Sequence, residues 1–459
     1  MHSAAQTVEL PAAAEVSAPI TLSQGALAVS DLRSARMEDM MRLPSTEELR
    51  RKMRVLGAHE PALRTADLET KIAALSNYCQ AYLPLREGLT FASTLLAKIR
   101  EIYRAKKFSS EEFRLYFHAN AEVMNGERLR PLPACLSSIT GTGFTLTGPS
   151  LMGRTAILQR LVEILGRPFF VKGEHPAPSQ MFVMPLLYLP YPTCGTLRGL
   201  IRDMRQKVMA GIGHYKMNVN ALSDMDGPNG ENVAIALCTL LNVGAVVLDG
   251  SGFANVNGKT EAILKFLVKL RQFTGIPVVI SGTSAFMYSA SYMGNLASNL
   301  FNGPSLHLNP IRMPNSGTER QEAPESKKGI WVQMNEWHWK RGIFEPPCPM
   351  PVDLPTWTHQ VTFGRLGWLA QGFESLHLAL LVKPELLQPG ALSEARVKEI
   401  FNSRLQLQNG VRTVMATLHG TPTSKSKLAF LKNLDHLPTV AFDEPQVREW
   451  LDEALLRRV

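Results

Sequence analysis

The sequence predicts an α/β fold with a parallel sheet, preceded by an all-helical region and followed by further helices. Three observations predict it. A glycine loop, Gly148-Pro149-Ser150-Leu151-Met152-Gly153-Arg154-Thr155, separates a strand-like run from a helix-like run. An apolar run from Val243 to Leu248 ends in Asp249. A third, Ile276 to Ile280, ends in Ser281-Gly282-Thr283.

In chain order, residues 1–30 are rich in Ala, Ser, Val and Pro and lack the basic start and compact apolar core of a secretion signal, so they read as a disordered leader. Residues 31–135 read as helical, with heptad-like pieces such as Leu89 to Ile102 that end before Pro131 and Pro133. Between Asp31 and Lys107 there are 15 Lys and Arg against 10 Asp and Glu. Two basic pieces, Arg50 to Arg54 and Arg100 to Lys107, are candidates to track nucleic-acid phosphates, or else faces exposed to water or to a partner subunit.

The α/β core is expected over 136–313. Gly143 to Thr147 alternates apolar and β-branched residues, and Ala156 to Leu165 has helical spacing. Between them lies the pattern G-x-x-x-x-G-K-[ST] with Arg154 in place of its lysine. In that pattern backbone N–H groups cradle phosphates, the lysine reaches the outer phosphates and the hydroxyl, here Thr155, sits on Mg²⁺. The alternative is an ordinary Gly/Pro turn between two core elements.

The run ending in Asp249 is expected to lie beside the first strand, so that its carboxylate holds Mg²⁺ through the water shell. An efficient hydrolase carries a glutamate at the next position to polarise the attacking water; here it is Gly250, and no acid follows until Glu261. Thr283, at the end of the third strand, is the candidate that senses a γ-phosphate. The helix Glu261 to Phe273 puts Ile263, Leu264, Phe266, Leu267 and Leu270 on one face and Lys265, Lys269 and Arg271 on the other. Strand, helix, strand implies parallel pairing through right-handed crossovers. The candidate nucleotide site is thus Gly148, Gly153, Arg154, Thr155, Asp249 and Thr283, with Thr155 and Asp249 on the metal side, and the expected cofactors are ATP and Mg²⁺.

Residues 314–356 read as a linker or insertion, with a polar stretch from Pro314 to Lys328, and 357–459 as a helical lid and C-terminal tail. From the glycine loop through Asn309, the order of elements resembles the AAA+ ATPases of transposons that choose insertion sites, the TnsC and TniB type. Three stretches add to the loop and Asp249. Pro192-Thr193-Cys194-Gly195-Thr196-Leu197-Arg198-Gly199-Leu200 resembles the family's helix-opening turn after its second strand. Phe266 to Thr283 resembles its helix and a strand ending in Gly-Thr. Trp368-Leu369-Ala370-Gln371-Gly372-Phe373 resembles a segment that begins a lid helix. The resemblance spans about two thirds of the chain.

What the resemblance implies is a bacterial, cytoplasmic transposition regulator that oligomerises with itself on DNA without sequence preference and links target-selector proteins to the transposase. The departures point to weak chemistry. The loop lysine is Arg154, the catalytic glutamate is Gly250, and the helix that carries the family's inter-subunit arginine finger reads Tyr292 to Leu300 with no arginine. A finger alone contributes about 10³ to 10⁵ in rate, so slow or absent hydrolysis is expected. Gly372-Phe373-Glu374 likewise offers no lid arginine, and Arg365, one or two turns earlier, is a poor substitute. Two alternatives stay open: an active ATPase of the same family whose missing groups come from another subunit or a partner, and a nucleotide-free P-loop scaffold for protein interaction.

Composition sets the remaining bounds. The net charge of +9 is compatible with a polyanionic partner but equally with a solvated surface. No apolar run approaches the roughly 20 residues of a membrane helix. The five cysteines, Cys79, Cys135, Cys194, Cys238 and Cys348, are scattered and fit thiols in a reducing compartment better than a disulfide frame or a metal cluster. Asp224-Met225-Asp226-Gly227 has the wrong spacing for a calcium loop, and Trp337-His338-Trp339 lacks the partners of a metal site.

Overall fold

The computed structural model describes residues 34–55, 61–75, 81–106, 108, 110–137, 141–172, 180–213, 220–313, 329–344, 348–418 and 427–457. The leader at 1–30 and the polar stretch Pro314 to Lys328 lie outside the described residues, as does Cys79.

Seven strands occur among the described residues: β1 Gly143–Thr147, β2 Phe169–Lys172, β3 Gln180–Val183, β4 Leu187–Pro190, β5 Val246–Ser251, β6 Val278–Gly282 and β7 Ser305–His307. Five form one sheet in the order β4-β5-β6-β1-β7, and every neighbouring pair is parallel. β2 and β3 form a separate antiparallel pair. Every residue of β1 and β6 is buried, the pattern of strands covered on both faces. The covering helices include Arg154–Leu165, Leu197–Ile212, Gly230–Leu240 and Thr260–Thr274. The chain is an α/β protein with a parallel sheet that includes a strand, glycine loop, helix unit.

One expectation fails. The strand carrying Asp249 does not lie beside β1, because β6 stands between them, pairing with β1 through Gly143↔Val278 and with β5 through Val246↔Val278. Sequence order cannot reveal this, since a strand that arrives later in the chain is inserted between two earlier ones. Asp249 still acts at the same end of the sheet, because all these strands run the same way.

The helical region packs on the sheet rather than standing apart. Helix Arg86–Ala105 buries Leu89, Phe91, Leu95, Leu96, Ile99 and Tyr103; Phe91 meets Phe144 of β1 edge-on at 5.9 Å. The Tyr103 hydroxyl donates to the Asn242 carbonyl at 2.7 Å. This packing turns two residues of the second basic piece inward. Arg100 is buried and donates to the carbonyls of Met40 at 2.8 Å and Arg42 at 2.7 Å, and Lys106 is buried over the Tyr103 ring. Arg104 of the same piece is exposed, and Lys107 lies outside the described residues. Arg50, Arg51, Lys52 and Arg54 are exposed, with Arg50 and Lys52 paired to Glu47 and Glu48.

A second apolar core forms beyond the sheet. Helices Ile330–Lys340, Leu354–Thr362, Leu366–Val382, Glu394–Arg404 and Asn409–Leu418 enclose Trp331, Trp368, Leu369, Phe373, Leu376 and Phe401. Within the range 314–356 the described residues therefore include a helix, Ile330–Lys340, built into this core. The chain from Lys427 onward returns to the sheet, where Phe430, Leu434, Leu437, Phe442, Trp450 and Leu451 join the first core. The range 357–459 is thus divided between two cores, a division set by which apolar faces find partners. No helix among the described residues is long and apolar enough to cross a membrane.

Candidate functional site

The glycine loop turns at the carboxyl end of β1 and feeds helix Arg154–Leu165. Gly153 precedes that helix at φ 90°, a left-handed conformation that favours glycine. No side chain caps the helix, so its first backbone N–H groups point into the loop without intrahelical acceptors. Such a helix start favours an anion. Gly148 is needed for close approach: a Cβ there would lie 2.5 Å from the Leu308 carbonyl oxygen. Leu151 holds φ 70° at the loop apex, a cost of about 1–2 kcal/mol that the surroundings must offset.

They do so through the second core. Arg365 is fully buried and donates from Nη1 to the Ser150 carbonyl at 2.9 Å. The Gly367 N–H donates to the Leu151 carbonyl at 2.9 Å. The start of helix Leu366–Val382 is therefore bolted to the apex of the loop. Arg365, read in sequence as a poor substitute for a lid arginine, holds the backbone of the loop instead. Burial lowers its pKa to about 10, and it lies over the Trp368 ring at 4.7 Å.

Thr155 and Asp249 meet. The Thr155 hydroxyl donates to Asp249 Oδ2 at 2.8 Å, and the Tyr188 hydroxyl donates to the same oxygen at 2.7 Å. Tyr188 belongs to β4, next to β5 in the sheet; its pKa is raised by burial, then by the bond to Asp249 and its charge. Asp249 Oδ1 is buried without a hydrogen-bond partner, and so is Nη1 of Arg154. Burial lowers the Arg154 pKa, and the Asp249 and Asp435 carboxylates counter it.

Beside these residues lies a cavity of about 310 Å³, lined among others by Tyr82, Gly153, Arg154, Thr155, Trp337 and Gly367. It is bounded by the loop, the helical region and the second core. Trp337 brings an indole N–H that is buried without a partner. A volume of this size is at the lower end of small-molecule sites.

Gly250 follows Asp249 at φ 86° and is exposed, within a register shift between Leu248 and Ser251. The backbone there is a bulge in a glycine conformation, which a residue with a Cβ adopts only under strain. Thr283 is placed differently from a free sensor. It caps helix Ser284–Ser291, accepting from the Phe286 N–H at 3.2 Å, and donates to Asp435 Oδ1 at 2.5 Å.

The structure therefore gathers Gly148, Gly153, Arg154, Thr155, Asp249 and Thr283 at one end of the sheet, and adds Tyr188, Arg365 and Asp435. For Tyr188 the only signal was a tyrosine near the end of a strand. Asp435 had none, being an isolated acid 152 residues from Thr283.

The donor set suits a magnesium nucleotide. A hydroxyl, a carboxylate with one buried unpartnered oxygen, a guanidinium with one buried unpartnered nitrogen and an uncapped helix start converge beside a cavity. Among solved structures, the chain is similar to a Walker-type ATPase of Pyrococcus abyssi, at 13% identity over 76% of this chain and 97% of that one, with a TM-score of 0.35. No family model and no curated protein matches the sequence. The assignment rests on the geometry.

Proposed function

We propose that this chain is a nucleotide-binding P-loop switch with slow or absent hydrolysis, acting as an adaptor between target-DNA selection and a transposase. The observation that carries nucleotide binding is the convergence of Thr155 and Asp249 beside two buried, unpartnered groups of opposite charge, Asp249 Oδ1 and Arg154 Nη1. An isolated pair of such vacant valences costs about 1–3 kcal/mol each, which a bound ligand would repay.

In this reading the N–H groups of the helix start and Arg154 hold the phosphates, and Thr155 and Asp249 hold Mg²⁺. The metal, when bound, neutralises phosphate charge and bridges phosphate oxygens. Arg154 contributes a planar, permanently charged fork in place of an ammonium. The cavity edged by Tyr82 and Trp337 receives the base. Gly250 offers no carboxylate to orient water, so bound nucleotide acts mainly as a structural ligand that stabilises one conformation by mass action.

The transposition role is the finer proposal and rests on the resemblance of the loop, the Pro192 to Leu200 turn, the Phe266 to Thr283 unit and the Trp368 to Phe373 segment. Self-association on DNA belongs to the same proposal, with the exposed Arg50, Arg51, Lys52, Arg54 and Arg104 as its basic candidates. Calorimetric titration with MgADP and MgATP, with phosphate release measured with and without duplex DNA, tests it. Binding without turnover, coupled to DNA, is the expected result. Absence of nucleotide binding would overturn the switch, and indifference to DNA would overturn the adaptor.

A further inference from the structure

A short segment from far along the chain crosses the phosphate end of the loop. Leu434–His436 forms a single 3-10 turn. Asp435 Oδ1 accepts from the Phe253 N–H at 2.6 Å and the Thr283 hydroxyl at 2.5 Å. The Asp435 carbonyl accepts from the Ser150 N–H at 3.0 Å and the Ser150 hydroxyl at 3.1 Å. The neighbouring His436 carbonyl accepts from Arg365, the same guanidinium that holds the Ser150 carbonyl.

These are donors that a phosphate would use: a loop N–H, two hydroxyls and the N–H of Phe253, which opens a 3-10 turn. The Asp435 carboxylate holds the Phe253 N–H and the Thr283 hydroxyl, its backbone carbonyl holds both Ser150 donors, and its charge also acts on Arg154. The cavity lies elsewhere along the loop. Gly153, Arg154, Thr155 and Ala156 line it, whereas Ser150, Thr283 and Asp435 do not. A nucleotide seated with its base in the cavity runs its phosphates past Gly153–Thr155 toward Ser150, so the last phosphate arrives where Asp435 sits. A phosphate there would meet the Asp435 carboxylate as a like charge and find the Ser150 donors already held by the Asp435 carbonyl.

We propose that Leu434–His436 stands in for a terminal phosphate, so that the closed site takes a nucleoside diphosphate and a triphosphate enters only by displacing this segment. The inference rests on the nucleotide-binding reading above and gives it a regulatory mechanism. Leu434 and Leu437 flank Asp435 and are buried in the same core as Phe430, Phe442 and Trp450. Displacement therefore pulls on the packing of the whole segment from Lys427 to Leu456, and the third phosphate is reported at that surface.

The test is calorimetric titration of the full chain with MgADP and with Mg-ATPγS, for wild type, Asp435→Ala and Asp435→Asn. Wild type is expected to prefer the diphosphate. Asp435→Ala is expected to gain about tenfold in triphosphate affinity, the fraction of closed sites no longer opposing it, with little change for the diphosphate. Asp435→Asn keeps an acceptor for Phe253 and Thr283 while removing the charge, so it guards against misfolding and should gain in the same direction. Diphosphate binding as in wild type, with no triphosphate gain in either variant, overturns the proposal and leaves the nucleotide reading standing. Loss of ATP turnover in Asp435→Asn at unchanged triphosphate affinity also overturns it, because Asp435 would then be a water-orienting acid. Failure of all three proteins to bind either nucleotide removes the nucleotide reading, and this proposal with it.

Discussion

The Thr155 hydroxyl donates to the Asp249 carboxylate at 2.8 Å, joining residues 94 apart in sequence. That bond places the helix start after β1 and the end of β5 at a single point, with one oxygen of Asp249 left unpartnered. Thr155→Ala and Asp249→Ala are each expected to weaken Mg-nucleotide binding by about 10- to 100-fold, the scale seen when groups that support a metal are lost. Calorimetry in excess Mg²⁺ checks this, and unchanged affinity in both variants refutes the metal assignment. Tyr188→Phe should have a smaller effect in the same direction, since it removes only one donor to Asp249.

Gly250 bears on turnover. Wild type is expected to release phosphate from ATP hardly above background. Supplying an acid by Gly250→Glu should not raise it, because a glutamate at φ 86° costs about 1–2 kcal/mol and sits on a strand bulge. Phosphate release and denaturant unfolding of the same variant read both parts. A strong gain in turnover would show that the bulge relaxes.

Arg365 ties two distant pieces of chain together. Its Nη1 holds the Ser150 carbonyl and its Nη2 the His436 carbonyl. Arg365→Met keeps most of the volume but leaves both carbonyls without this donor, so a loss of about 3 kcal/mol in unfolding free energy is expected. Arg365→Lys should not restore it, since one ammonium cannot reproduce the planar fork. Urea titration of the three proteins decides; full stability in the lysine variant would mean that only the charge matters.

The second core carries a pH dependence. Burial, followed by the charge of Arg341, lowers the His377 pKa from 6.5 to about 3. His338, stacked on Phe373 at 5.0 Å, is lowered well below its ordinary value by burial, Arg341 and His377. A depressed pKa means that the folded state refuses a proton the unfolded state accepts. The stability is therefore whole above about pH 6.5 and falls as pH drops toward 3, by up to roughly 1.4 kcal/mol per pH unit for each such histidine. Thermal unfolding across this window should show the loss, and His377→Leu should flatten it. An unchanged slope in that variant would place the titration elsewhere.

The parallel α/β fold was legible because its signals are local. β1, the helix after the glycine loop, and the runs at Val246 and Val278 each carry their own periodicity, and burial on both faces makes such strands continuously apolar. The loop residues were legible for the same reason, since Gly148 to Thr155 form one contiguous pattern. Charge in a sequence says nothing of burial: within the second basic piece Arg100 and Lys106 turn inward while Arg104 stays exposed. Strand order misled because β6, late in the chain, enters between β1 and β5.

By itself, then, the sequence determined three strands of the parallel sheet, β1, β5 and β6, the helices that follow β1 and β5, and the phosphate-type loop, since these depend on spacing over a few residues; β2, β3, β4 and β7 came only with the fold. Only the tertiary structure decided what lies against that loop. Arg365 on the Ser150 carbonyl and Asp435 on the Ser150 N–H come from 215 and 285 residues away. Neither belongs to a motif, because a contact made by chain return leaves no period in the sequence. Both are fixed by the burial of apolar neighbours, Trp368 and Leu434 among them, which brings the polar group along.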